Sequence, residues 1–518
     1  MNNRAFFIFT VLVASFVQSC SSAKIVVLYT VSTKSHMYAI MPAIEELAQR
    51  GHQVSIFSSF QGMAKNVKNG REFFLKEAAQ LVDETEVDAF SMQKEGLNLF
   101  LTMMRYVKQM SLTSCNNLLT HPDFLEILRK RDVDLFIVDG YFHEFLFPIF
   151  DHIGVPFVTH SSNSAFPNML AAMGASKDYA FVSTSIVQLD DPITFPRRLL
   201  NVMLNEISRH IRTYYILKDL DALLQSHIPG IRSIAEVEGE ASLCIINSHP
   251  MTNWPRSLPP TIVPIGALHT RPAKSLPKEL KEFADGATDG LIVFSLGSFV
   301  PVSSMPKETL DTFIRVFSKL PQRVVWKWEE NVPANVSANV MMVDWLPQQD
   351  LLGHNNTRVF ISHGGMLGTQ EAAYHGVPML GMPFGNDQRG NVYKVKRGGW
   401  GLQLDWDKID DRNLIDALTH LVHDSNVRAN ASRVSTLMRD QLMPGVDVAV
   451  YWIEYVIRHG GTKHLQLSSK NMPFYQRHLL DVTLFLGSIL GIFLGISYKL
   501  TRLLLNGWNT KNDKIKMN

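Results

Sequence analysis

The feature that most constrains the fold of this 518-residue chain is an apolar strand that runs into glycines and then into a helix. Arg358 to Ser362 form the apolar run, His363, Gly364 and Gly365 follow, and a helical pattern begins directly after them. Glycines let the backbone come close to a ligand, and the unpaired N–H groups of a helix start attract an anion. The pattern therefore predicts an α/β domain with a phosphate-binding turn.

Strands and helices alternate in two series. The first series has strands at Ile25–Tyr29 and Val54–Phe57 with an amphipathic helix between them, and a further apolar strand, Leu135–Val138, ends in Asp139. The predicted strands of the second series are Leu291–Phe294, Val324–Trp328, Met341–Trp345, Val359–Ser362 and Met379–Met382. Two doubly wound α/β domains are expected, separated by a segment between Leu258 and Gly290 that is rich in proline, glycine and charge.

Side chains near the glycine turn suit the base and ribose of a nucleotide. A flat base can stack on Trp345 and hydrogen-bond with Gln348, and ribose hydroxyls suit the carboxylate of Glu371. A Trp after an apolar strand is more often a buried core residue, so a core position for Trp345 is the alternative.

Other groups suit the diphosphate and the sugar. A diphosphate fits His363, the backbone from Gly365 to Gly368 and the Thr369 hydroxyl, and sugar hydroxyls fit Asp387 and Gln388. Together with the base and ribose contacts, these residues predict a nucleotide-sugar site.

The segment from Trp345 to Gln388 resembles the donor-binding signature of the UDP-glycosyltransferase family, in the membrane-bound animal branch that includes UDP-glucuronosyltransferases. Its HGGMLGTQEAAYHGVP sequence, with GGTKHL further on, is most similar to insect and other invertebrate members. The vertebrate branch carries Asn at the position of Leu367, so one polar contact of that branch is absent. The resemblance implies the GT-B fold, in which two Rossmann-like domains face a cleft.

The resemblance also implies the roles of the domains. The predicted segments are a signal peptide at 1–23, an acceptor-binding domain at 24–270, a linker at 271–290, a UDP-sugar-binding domain at 291–445, returning helices and a membrane-proximal segment at 446–481, a transmembrane helix at 482–498 and a cytoplasmic basic tail at 499–518.

Sugar transfer to a hydroxyl needs a base, and His36 is the candidate. It lies where the first strand turns into a helix, so its imidazole can project into a cleft at the carboxyl edge of the sheet. A lone His at a helix start is more often a cap or surface residue, but Ser35-His36 matches the catalytic His of the family. Asp139 matches the partner carboxylate, which fixes the tautomer of the imidazole, and Asp134 before the same strand is the competing candidate.

Ser298 is a further donor-binding candidate. The Gly297-Ser298 pair after the first strand of the second domain can approach phosphate oxygens with backbone N–H and hydroxyl groups. A simple tight turn is the alternative.

Both ends of the chain carry membrane-targeting patterns. Residues 1–23 have the basic start, apolar run and small residues of a signal peptide, and Val482–Tyr498 is an uncharged stretch long enough for a thin bilayer. The basic tail predicts a single-pass type I protein with a lumenal catalytic body. Lys514 and Lys516 resemble a dilysine retrieval signal, which favours the endoplasmic reticulum membrane over a merely basic flank. Three N-x-S/T sequons, at Asn335, Asn355 and Asn430, would be lumenal and open to glycosylation.

Several functions are disfavoured. The net charge of +2 and the lack of a long basic run in the body argue against nucleic-acid binding. No zincin helix, P-loop or G-x-G-x-x-G occurs, so no metal and no cofactor are expected, and a UDP-sugar would be a co-substrate. Pairing of Cys115 with Cys244 stays open, as does a homo-oligomer.

The predicted function is transfer of a hexosyl group, with inversion, from a UDP-sugar to a hydroxyl of a small lipophilic acceptor, as in detoxification. Glucose is the first expectation for the donor sugar and glucuronic acid the second. The alternatives are a non-catalytic membrane-anchored binder of lipophiles, which would be expected to lack His36 or Asp139, and a UDP-sugar epimerase, which needs no membrane anchor.

Overall fold

A computed structural model describes residues 22–31, 33–84, 90, 96–140, 142–183, 194–297, 300 and 304–516. Most of the predicted signal peptide, and Ser298, lie outside the described residues. The chain forms two compact units, one that ends at Gln466 and one that starts at Leu467.

The first unit begins with a parallel sheet in the order β3-β2-β1-β4-β5-β6-β7. Its strands are β1 (Lys24–Tyr29), β2 (Gln53–Ser58), β3 (Arg71–Phe74), β4 (Leu135–Asp139), β5 (Phe157–Ser161), β6 (Leu243–Ile246) and β7 (Ile262–Pro264). The α-helices in this part are α1 (Lys34–Gln49), α2 (Lys76–Glu84), α3 (Gly96–Thr120), α4 (Pro122–Lys130), α5 (Phe147–Ile153), α6 (Pro167–Ala172), α7 (Phe195–Ile211), α8 (Lys218–His227) and α9 (Ile234–Val237). A π-helical segment, Arg212–Leu217, joins α7 to α8.

A second parallel sheet follows in the order β10-β9-β8-β11-β12-β13. Its strands are β8 (Leu291–Ser295), β9 (Arg323–Lys327), β10 (Val340–Val343), β11 (Thr357–Ser362), β12 (Met379–Gly381) and β13 (Gly401–Gln403). The accompanying helices are α10 (Lys278–Asp285), α11 (Lys307–Phe317), α12 (Gln348–Leu352), α13 (Met366–His375), α14 (Asn386–Arg397), α15 (Asp411–His423), α16 (Ser425–Arg439) and α17 (Gly445–His459).

Both sheets are covered on both faces, which explains their nearly continuous apolar strands. All residues of β4 and of β8 are buried. In β1, Val26 and Leu28 join the core on one face of the sheet, while Val27 joins the core on the other face together with α1. The side chains of a strand alternate between faces, so each face needs its own layer of helices.

The strand order locates the clefts. In the first sheet the order reverses between β1 and β4, and in the second between β8 and β11. Ligands of doubly wound sheets bind outside the carboxyl ends of the strands at such switch points. His36 and Asp139 lie at the first switch point, and Gly297 and His363 lie at the second.

The segment predicted as the linker is largely attached to the second sheet. Within it, α10 buries Leu280 and Ala284 in a core of that sheet. The Arg271 guanidinium forms two hydrogen bonds to the Asp350 carboxylate of α12, at 2.5 and 3.0 Å. After the last helices of the second sheet, the chain returns to the first sheet, where α17 packs on α1 and contributes Ile453 to the core.

The second unit contains α18 (Phe474–Arg477) and the long helix α19 (Leu480–Lys516). Leu480–Asn506 within α19 is long and apolar enough to cross a membrane. This stretch includes the predicted span, Val482–Tyr498, and extends beyond it at both ends.

Candidate active site

His36 and Asp139 meet at the carboxyl edge of the first sheet. His36 lies in the first turn of α1, Asp139 is the last residue of β4, and His36 Nδ1 is 2.7 Å from Asp139 Oδ2. The Asp139 side chain is fully buried, whereas that of His36 is 19% exposed. The competing Asp134 instead accepts a hydrogen bond from the Lys24 backbone N–H at an exposed position.

The two groups change each other's proton affinity. Desolvation alone would lower the pKa of His36, but the charge of Asp139, the hydrogen bond to it and the charge of Asp387 outweigh desolvation and raise it. Burial would raise the pKa of Asp139, and the charge and hydrogen bond of His36 outweigh burial and lower it. The pair therefore favours an ionised carboxylate beside an imidazole that readily takes up a proton.

Two further histidines lie beneath this pair. The Nε2 atom of His143 accepts hydrogen bonds from the backbone N–H groups of Thr30 and Val31. His160 Nδ1 is 2.8 Å from the Tyr29 hydroxyl, and burial lowers the pKa of His160 to about 4. Sequence patterns did not single out these residues, because neither belongs to a motif, and the fold brings His160 to Asp139 from the neighbouring strand β5.

On the second sheet, the imidazole of His363 lies between two glycines. A Cβ atom at Gly297 would be 2.7 Å from His363 Cε1, and one at Gly365 would be 2.5 Å from His363 Nε2. Only a hydrogen at both positions leaves space for the ring. Desolvation, with a contribution from Lys327, lowers the pKa of His363 to about 4, so the ring is neutral at pH 7.

The turn that carries His363 also requires its middle glycine. Gly364 has a φ of +84°, and a Cβ atom there would be 2.4 Å from the side chain of Val392 in α14. The turn leads into α13, whose first backbone N–H groups are a natural anion site.

Thr369, assigned to the diphosphate from the sequence, is already hydrogen-bonded within its own helix. Its side chain is 1% exposed, and its hydroxyl donates to the Gly365 carbonyl at 2.9 Å. This bond uses the hydroxyl proton one turn back along the helix, and the assignment of Thr369 to the diphosphate stays a prediction. A Cβ atom at Gly368 would lie at ordinary contact distance from Phe360 and Gln348, at 3.4 and 3.5 Å.

The residues assigned to the base and ribose lie around α12 and α13. The Trp345 side chain is 63% exposed, which excludes the buried core position that was its alternative. Gln348 Nε2 donates to Glu371 Oε2 at 2.5 Å. Desolvation raises the pKa of Glu371 to about 7, against the opposing effects of Gln348 and Arg271. The structure therefore brings Gln348 and Glu371 together beside an exposed aromatic ring.

Asp387 and Gln388 begin α14. Asp387 Oδ2 accepts a hydrogen bond from Asn391 at 2.8 Å, and burial raises the pKa of Asp387 although Asn391 and the charge of His36 oppose this. Asp387 is thus electrostatically coupled to His36 on the other sheet. The Gln388 amide oxygen accepts from the backbone N–H groups of Phe384 and Gly385, so it caps its own helix.

The segment before the second sheet also contacts α12 and α13. His269 Nε2 is 3.2 Å from the Leu367 carbonyl oxygen in α13, and Gln349 Nε2 donates to the His269 carbonyl at 3.1 Å. Arg271 returns a backbone hydrogen bond to Gln349 Oε1 at 2.9 Å. These contacts fix α12 relative to α13, and nothing in the sequence pattern indicated them.

Two other predictions concern cysteines and metals. Cys115 and Cys244 are buried and not bridged to each other. In the described parts of the chain, no group of three or more His, Cys, Asp or Glu side chains is arranged to hold a metal ion.

Known proteins with similar sequence agree on one family. The sequence model of the UDP-glucoronosyl and UDP-glucosyl transferases matches residues 25–514. The chain is 32% identical over 495 residues to UDP-glycosyltransferase UGT5 of Dactylopius coccus, covering 94% of this chain and 92% of that one. It is 29% identical over 477 residues to human UDP-glucuronosyltransferase 2B7, covering 87% and 88%.

Solved structures of glycosyltransferases share the fold. The calicheamicin glycosyltransferase CalG4 superposes with a TM-score of 0.57 at 18% identity, over 85% of this chain and 99% of that one. The spinosyn forosaminyltransferase SpnP gives 0.59 at 16% identity, over 85% and 100%. This likeness confirms the predicted GT-B fold. The chain belongs to the family of UDP-glucoronosyl and UDP-glucosyl transferases.

Proposed function

We propose that this protein transfers a hexosyl group from a UDP-sugar to a hydroxyl of a small lipophilic acceptor, with His36 as the general base. The observation that carries the proposal is the 2.7 Å contact between His36 Nδ1 and the buried Asp139 carboxylate. This contact leaves Nε2 as the atom that takes a proton, and the raised pKa of His36 suits that task.

In the proposed reaction, His36 Nε2 removes the acceptor proton as the acceptor oxygen attacks the anomeric carbon from the face opposite UDP. The bond between that carbon and the diphosphate oxygen breaks in the same step, so the configuration inverts. Asp139 stabilises the resulting imidazolium. The departing diphosphate is held by neutral His363 and by the first N–H groups of α13.

The remaining donor contacts follow from side-chain chemistry. The exposed ring of Trp345 suits base stacking, and the Gln348–Glu371 pair suits the base edge and the ribose hydroxyls. Asp387, electrostatically coupled to His36, suits the hydroxyls of the transferred sugar, with Gln388 beside it. Ser298 is retained as a phosphate contact on its sequence position alone.

Donor and acceptor identity are proposed from family resemblance and composition. Glucose is the preferred donor sugar and glucuronic acid the second. The Met-rich segments of the first domain suit varied apolar acceptors such as phenols, which fits a role in detoxification. We further propose single-pass type I anchoring through α19 in the endoplasmic reticulum membrane, with the catalytic body in the lumen.

The test is product analysis with UDP-glucose and UDP-glucuronic acid supplied in parallel with a panel of phenols. The proposal expects a glycoside whose anomeric configuration, measured by NMR, is inverted relative to the donor. A retained configuration would refute the single-step mechanism. UDP binding without any product would favour the non-catalytic binder.

A further inference from the structure

His143 lies between the end of β1, which leads to His36, and the end of β4, which carries Asp139. Its side chain is fully buried four residues after Asp139. Its Nε2 atom accepts from the Thr30 backbone N–H at 2.8 Å and from the Val31 backbone N–H at 3.2 Å. One imidazole nitrogen thus joins the loop after β4 to the loop after β1.

These hydrogen bonds define which nitrogen of the His143 ring carries the proton. Two N–H donors point at Nε2, so this nitrogen must carry a lone pair and the ring proton must be on Nδ1. The loop it holds leads within a few residues to His36, whose own backbone N–H donates to the Thr33 carbonyl at 3.0 Å. A shift of Thr30 and Val31 would therefore be passed to the proposed base.

The loop that carries His143 is itself conformationally constrained. Phe142 has a φ of +68°, a left-handed conformation that is uncommon for an aromatic residue. The Ser111 hydroxyl of α3 donates to the Phe142 carbonyl at 3.2 Å, and the Ser114 hydroxyl of α3 donates to the Thr30 hydroxyl. Both loops are thus held by α3 as well as by each other.

We propose that His143 is a positioning residue that fixes the relation between His36 and Asp139 by accepting both backbone N–H groups at the end of β1. The inference rests on the proposed role of His36 as base. The alternative is a core histidine that serves packing alone, since His143 also stacks on Phe145 with ring centroids 6.0 Å apart. Positioning requires a hydrogen-bond acceptor at the Nε2 position, whereas packing alone does not.

Three full-chain variants separate them. His143→Phe keeps a ring but removes the acceptor. His143→Gln can place its amide oxygen near the Nε2 position, while His143→Asn has the same amide on a shorter side chain that does not reach it. His152→Phe, at an exposed position of α5, is the matched control.

The readouts are kcat and KM for the UDP-sugar with the best phenol of the panel, UDP binding by calorimetry, and the Nδ1 proton resonance of His36 in protein with labelled histidine. We expect His143→Phe and His143→Asn to lower kcat by about tenfold or more, with KM for the donor and UDP affinity unchanged. The His36 resonance should shift in both variants and return in His143→Gln together with kcat.

Each other result has a definite meaning. An unchanged kcat and His36 resonance in His143→Phe would overturn the inference. Equal losses in the Gln and Asn variants, with UDP binding falling in parallel, would also overturn it in favour of packing alone. If His36→Ala remains active, the proposed role of His36 as base fails instead, while the His36 resonance still reports whether His143 positions that ring.

Discussion

Replacement of Asp139 by asparagine tests how the buried carboxylate acts on His36. The change keeps the size and shape of the side chain but removes its charge. In the structure, the carboxylate accepts the Nδ1 proton of His36 at 2.7 Å and is fully buried, while the His36 side chain is 19% exposed, so solvent screens the interaction only weakly. Its charge and hydrogen bond outweigh the desolvation that would otherwise lower the pKa of His36.

The size of the effect follows from that contact. A hydrogen bond to a charged group contributes about 1.5–3 kcal/mol, which corresponds to a loss of about 10- to 100-fold in kcat if the contact stabilises the imidazolium in the transition state. The pH dependence should change as well. A general base must be deprotonated, so activity falls as pH drops through the pKa of His36. Without Asp139 that pKa falls, and the acid limb moves to lower pH.

The assay is a profile of kcat/KM for the acceptor from about pH 5 to about pH 9 at saturating UDP-sugar, with UDP affinity as the control. UDP affinity should be unchanged, because the proposed donor contacts lie on the second sheet. A variant with wild-type kcat and an unmoved acid limb would refute the assigned role of Asp139.

Three further substitutions probe the donor side. Trp345→Ala should weaken UDP binding by about 5- to 100-fold, because base stacking is lost. The Tm should not fall, because Trp345 is 63% exposed. An unchanged UDP affinity, measured by calorimetry, would exclude stacking. Gly365→Ala places a Cβ atom 2.5 Å from His363 Nε2. This overpacking should lower the free energy of unfolding, measured by denaturant titration, by about 1–3 kcal/mol, and it should weaken UDP binding. If neither quantity changes, the His363 ring moves freely. Glu371→Gln removes a carboxyl whose pKa is raised to about 7 on folding, so the folded state binds this proton more tightly than the unfolded state. Burial of the ionised form therefore destabilises the folded wild type above that pH. At about pH 8 the free energy of unfolding of the variant should exceed that of the wild type by up to about 3 kcal/mol. This gain should shrink as the pH falls through 7 towards 4.5. An equal gain at high and low pH would contradict the titration of Glu371, and UDP affinity, measured in parallel, should fall.

The two sheets could be predicted because their strands are continuous apolar runs with glycine- or polar-rich ends. The positions of His36 and Asp139 followed from the same pattern, since the carboxyl ends of neighbouring parallel strands meet at one edge. Strand ends were less certain. The predicted strand Met341–Trp345 stops at Val343, which leaves Trp345 exposed rather than in the sheet.

The sequence could not show which polar atoms are already used inside the protein. A motif marks Thr369 and Gln388 as polar groups near a ligand. In the structure, the Thr369 hydroxyl donates to the Gly365 carbonyl, and the Gln388 amide oxygen accepts from backbone N–H groups at the start of α14. His143 was invisible for the opposite reason. It belongs to no motif, and its partners Thr30 and Val31 are more than a hundred residues away in the chain.

We propose that His36 activates an acceptor hydroxyl for attack on a UDP-sugar. The most direct measurement is UDP release with and without a phenol acceptor, in the wild type and in His36→Ala, with UDP affinity measured in both. We expect acceptor-dependent release by the wild type, its loss in His36→Ala, and equal UDP affinity in the two proteins. Acceptor-dependent release that persists in His36→Ala would contradict this proposal.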